Sequence, residues 1–109
     1  MQFTKELKMA SEWEQKRVKE ISKAVLDGQL SILEGTRALR SLAFTDAIAN
    51  EDDRNLIIAI ESETDDLPIG DVRHLWAPTA LAEKDVEIRR CEALWREDVL
   101  AACRRILST

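Results

Sequence analysis

The sequence predicts an all-α protein: a compact bundle of about four helices with a long C-terminal helix, in one domain over residues 1–109. Three observations carry this expectation. Only three Gly and two Pro interrupt 109 residues, so helix breakers are scarce. Apolar residues recur at three- and four-residue spacing over long stretches, as in amphipathic helices. No segment alternates apolar and polar residues as a half-buried strand would. A hydrophobic content of 45% is enough for one core, and a charged content of 34% suits wet outer faces.

The first helix is expected from about Thr4 to Asp27, with Leu7, Ala10, Trp13, Val18, Ile21 and Val25 on its inner stripe. Gly28 supplies its C-terminal stop, because glycine adopts the left-handed conformation without steric cost. Ser31 and Glu34 form a capping-box pattern for a second helix, which carries Ile32, Gly35, Ala38, Leu39 and Leu42 on one side. Gly35 costs about 1 kcal/mol inside a helix, so its presence implies a close approach of another helix. Leu56-Ile57-Ile58-Ala59-Ile60 is β-branched enough for a strand but has no strand partner, so a short buried helix is expected. Leu67-Pro68-Ile69-Gly70 reads as a turn, after which Asp71 caps a short helix through Val72, Leu75 and Trp76. Pro78 fits the first turn of the last helix, where its missing N–H costs little. Leu81, Ile88, Cys91, Trp95, Val99, Ala102, Cys103 and Ile106 form the expected inner stripe of that helix. Trp13 and Trp95 are expected to face each other in the core.

Charge is distributed unevenly. Residues 46–71 hold nine carboxylates against one base, Arg54, so they carry −8 while the whole chain carries −5. The remainder sums to +3. Such a segment attracts a basic protein surface and repels nucleic acid and anionic lipid. Bases elsewhere, such as Lys16, Arg17, Lys19 and Lys23, are interleaved with Glu12, Glu14 and Glu20 and form no phosphate-tracking stripe. No apolar run exceeds five residues, as at Leu56–Ile60, against about 18 for a membrane span. Residues 1–20 lack the apolar core of a secretory signal, so a cytoplasmic location is expected.

Catalytic and metal patterns are incomplete. Glu61, Glu63 and Asp65 match the first ligands of a calcium-binding loop. Asp66 stands where that loop turns on Gly, and Val72 stands where it needs a bidentate Glu. Glu63 and Asp66 make one Glu-x-x-Asp pair without the upstream Glu-x-x-Glu of a magnesium-dependent pyrophosphohydrolase. His74 is the single histidine, and no nucleophile motif or glycine-rich phosphate loop accompanies it. Neither enzymatic activity nor a metal or other cofactor is expected. Cys91 and Cys103 lie twelve residues apart on the last helix, roughly 18 Å along its axis, too far for a disulfide.

The stretch from Glu61 to Trp76, ESETDDLPIGDVRHLW, with Ala80-Leu81 and Lys84-Asp85 after it, resembles a group of short bacterial helical proteins whose biochemistry is unassigned. In size, acidity and helical content the chain is also similar to immunity proteins encoded beside toxins of contact-dependent inhibition systems. That similarity implies an inhibitor that neutralises a toxin, a nuclease whose active-site surface is basic. The partner-binding residues expected on this reading are the acids Glu51, Asp52, Asp53, Glu61, Glu63, Asp65, Asp66 and Asp71, with Leu67 and Trp76 as apolar anchors. The alternative is a structural or self-associating helical module without catalytic activity.

Overall fold

The computed structural model describes residues 7–109. Four α-helices make the fold among the described residues: α1 (Glu12–Leu26), α2 (Ile32–Leu39), α3 (Glu51–Thr64) and α4 (Pro78–Leu107), with 3-10 turns over Ser41–Phe44 and Gly70–Leu75. Among the described residues the extended pairing is one isolated parallel bridge between Lys8 and Thr45.

α1 begins later than expected. Its N-cap is Ser11, whose side chain accepts from the Glu14 N–H while the Glu14 carboxylate accepts from the Ser11 N–H. Leu7–Ala10 run outside the helix, because Lys8 exchanges backbone bonds with Phe44 and Asp46 and the Ala10 N–H donates to Asp46 Oδ1 at 2.7 Å. Thr4, the expected start, lies outside the described residues. Gly28, with φ at 79°, ends the helix region as expected.

The Ser31–Glu34 capping box opens α2. Gly35 is buried there, and a Cβ at this position would collide with Val25 Cγ2 of α1. Leu56–Ile60 is not an isolated helical turn. It lies inside the 14-residue α3, capped by Asn50, whose Oδ1 accepts from the Asp53 N–H. The far end of α3 is held from α2: Arg37 donates to the carbonyls of Thr64 and Leu67. It thereby satisfies acceptors that a helix end leaves open.

α4, with 30 residues, is the longest helix of the described chain. It is antiparallel to α1, since Lys19 in mid-α1 donates to the Thr109 carbonyl while Val25 packs with Val99. α1 has only 15 residues, about half the length of α4. Full burial on α4 is therefore confined to Val99, Ala102, Cys103 and Ile106. Leu81, Ile88, Cys91 and Trp95 are half-buried, and Trp13 is 69% exposed, so the expected Trp13–Trp95 core contact does not form. Two buried clusters result. One joins Val18, Ile21, Leu39, Ile48, Ile57 and Ile106; the other joins Val25, Ile32, Leu33, Ile60, Leu67 and Val99.

Candidate partner-binding surface

α3 separates the acidic segment into two ends. Glu51 and Asp52 stand exposed in its first turn, Glu63 in its last, and Asp65 and Asp66 just beyond. Twelve residues of helix put Glu51 and Glu63 roughly 18 Å apart. Screening in physiological salt acts over about 8 Å, so the two ends are separate fields.

The expected site residues divide by what they touch. Asp53 is 2% exposed and is gripped from α4, with Arg105 Nη2 to Oδ1 at 2.6 Å and Nε to Oδ2 at 3.1 Å. Glu61 is paired with Arg40 at 2.6 Å and keeps 13% of its side chain exposed. Leu67 is 2% exposed, inside the second apolar cluster. These three are not presented at the surface: Asp53 and Glu61 join helices, and Leu67 is core. Arg54, the single base of the segment, bends back to the Ile48 and Ala49 carbonyls. Glu51, Asp52, Glu63, Asp65, Asp66 and Asp71 remain exposed, and Trp76 is half-buried.

The two exposed groups differ in what α3 itself requires. A helix carries partial positive charge at its N-terminus and partial negative charge at its C-terminus. Glu51 and Asp52 therefore stabilise the helix they begin. Glu63 and Asp65 lie against the negative end, and α3 has no basic residue in its last turn. Helix stability does not account for these acids. Their field also reaches α4: burial first, then Glu87, and further Glu63 and Asp66, push the Cys91 thiol above its ordinary range.

Beside this end lies the Gly70–Leu75 turn. Asp71 does not cap it; the N-cap is Ile69, without a side-chain bond. Arg73 pins the turn to α4 through Asp85, at 2.7 and 3.0 Å, and to the Pro68 carbonyl at 3.2 Å. The hydrogen bonds from Arg73 hold the Asp85 carboxyl below its ordinary value. His74 Nδ1 contacts the Asp71 carbonyl. With three residues per 3-10 turn, Val72 and Leu75 point the same way, and they are 45% and 75% exposed. Sequence reasoning placed both on a short helix with Trp76 and did not single them out as exposed apolar groups. The usable signal was the brevity of a segment bounded by Gly70 and Pro78, too short to fold over its own apolar face.

Clefts on the molecule are modest. One of 360 Å³ lies beside Phe44, Glu51 and Arg54, and one of 340 Å³ lies beside Asp53 and Arg105. Among the described residues no group of three or more His, Cys, Asp or Glu side chains is placed to hold a metal ion. No described helix is long and apolar enough to cross a membrane. No protein-family model, curated protein or solved structure matches the chain.

Proposed function

We propose that this chain is an acidic protein-binding inhibitor that docks on a basic protein surface and occludes it. The partner we propose is a bacterial toxin nuclease, whose phosphate-gripping surface presents Lys and Arg. The observation that carries the reading is the C-terminal end of α3. Glu63, Asp65 and Asp66 are exposed there against the helix dipole, near the exposed Val72 and Leu75 and the half-buried Trp76. A charged rim speeds and orients encounter, while packed apolar groups slow dissociation. The surface thus supports both parts of a tight inhibitor. The resemblance in type to immunity proteins points the same way. The second reading, a self-associating helical module, draws on a different surface, the outer face of α4.

The test is growth of cells producing a toxin nuclease domain, chosen from any found encoded next to this chain. Co-expression should restore growth. The Glu63→Lys, Asp65→Lys, Asp66→Lys triple variant should associate with that toxin about ten- to a hundredfold more slowly at low salt. Leu75→Ala should mainly raise the dissociation rate. Full protection by the triple variant at low expression would overturn the reading, as would failure of the wild-type chain to protect.

A further inference from the structure

The outer face of α4 carries a pattern separate from the acidic surface. Glu83, Arg90, Glu97 and Arg104 recur every seven residues and alternate in sign. Seven residues make about two helical turns, so the four line one seam of the helix. All four are exposed, and none makes a side-chain hydrogen bond or ion pair within the described chain. Glu83, Glu97 and Arg104 have no opposite charge three or four residues away, the spacing at which a helix pairs its own charges. Between them lie Val86 and Leu94, 60% and 69% exposed, with Ala93 exposed and Ala101 half-buried.

The seam is palindromic about the midpoint between Ala93 and Leu94. Reversed about that point, Glu83 falls on Arg104, Arg90 on Glu97, Val86 on Ala101 and Ala93 on Leu94. Every charge meets its opposite and every apolar group meets another. An isologous contact has this requirement, because residue i on one copy meets j on the other while j meets i.

We infer that the outer face of α4 docks a second copy of this chain, antiparallel, across a two-fold axis at Ala93–Leu94. Arg90 of each copy pairs with Glu97 of the other, and Glu83 with Arg104. Ala93 and Ala101 are small enough to let the axes approach. Parallel pairing is excluded by the same seam, since it sets Arg90 against Arg90 and Glu97 against Glu97. One helix face with four apolar side chains is below the size of a standard stable interface, so the dimer is weak. The Gly70–Leu75 turns then lie at opposite ends of the dimer, and each copy's acidic surface stays open.

Sedimentation equilibrium of the full chain from roughly 10 µM to 1 mM should show the mass rising from monomer to dimer. Arg90→Glu and Glu97→Arg should each weaken association by about tenfold or more, because symmetry breaks two ion pairs at once. The combined swap should restore it. Leu94→Ser should abolish it with helicity by circular dichroism unchanged. A monomer over the whole range, a dimer indifferent to both single reversals, or tighter association of the Arg90→Glu variant would overturn the inference.

Discussion

Asp53 keeps 2% of its side chain exposed while its partner Arg105 keeps 52%, so the two ways of breaking this pair are not equivalent. Removing the guanidinium strands a carboxylate in a nearly dry site. Removing the carboxylate returns an already half-hydrated guanidinium to water. Arg105→Ala should therefore cost about 3 kcal/mol in urea denaturation, and Asp53→Ala distinctly less. Equal losses would show that water reaches the carboxylate. The thiols follow a similar logic. Burial pushes both Cys91 and Cys103 up, which depletes the reactive thiolate at neutral pH. Cys103 is 0% exposed and Cys91 is half-buried, so alkylation followed by mass spectrometry should label Cys91 slowly and Cys103 only on unfolding. Residue identity made the acids countable in the sequence, but not their fates. Asp53 meets Arg105 across 52 positions, and Glu61 meets Arg40 at the C-terminal cap of α2. No local pattern reports such pairings.

At the scale of elements, the signals that proved reliable were local chemistry with one geometric outcome. The Ser31–Glu34 box, the Gly28 stop and Pro78 at the head of α4 each ask only for backbone groups a few residues away. The inner stripes were read less well. Periodicity says which residues share a face, but not how far the neighbouring helix extends; α1 is too short to cover α4, and Trp13 stays in water. Gly35 tests the closest helix contact. Alanine is the better helix former by about 1 kcal/mol, yet Gly35→Ala should lower stability, because its Cβ meets Val25. A variant as stable as wild type in urea would show that α1 and α2 separate freely. The Arg73–Asp85 pair tests the docking of the 3-10 turn on α4. The folded-state pKa of Asp85 is depressed, so its contribution is present above the ordinary carboxylate range near pH 4 and is lost as pH falls below it. Asp85→Asn should therefore lose stability at pH 7 and little at pH 2. An equal loss at both would assign Asp85 a role other than its charge.

Across the whole molecule, the −8 of residues 46–71 is not a single surface. Folding spends two acids on ion pairs with Arg105 and Arg40, one on the Ala10 N–H, and separates the rest along α3. Net charge was legible from composition, whereas the division between ends required the helix to be drawn through the segment. That division gives opposite expectations for one kind of substitution. At the N-terminal end, Asp52→Lys replaces a favourable charge with an unfavourable one and should destabilise by about 0.5–1 kcal/mol. At the C-terminal end, Glu63→Lys with Asp65→Lys and Asp66→Lys places positive charge where α3 carries its negative pole. It also shifts the net charge from −5 to +1. This triple variant should be more stable than the wild type by about 1 kcal/mol at low ionic strength, and the gain should shrink with added salt. Urea denaturation at two salt concentrations measures both effects. A more stable protein that has lost its partner would show these three acids retained at the expense of stability, as expected of a binding surface. A triple variant less stable than wild type would mean that the acids hold the fold, and the argument from the helix dipole to a partner would fail with it.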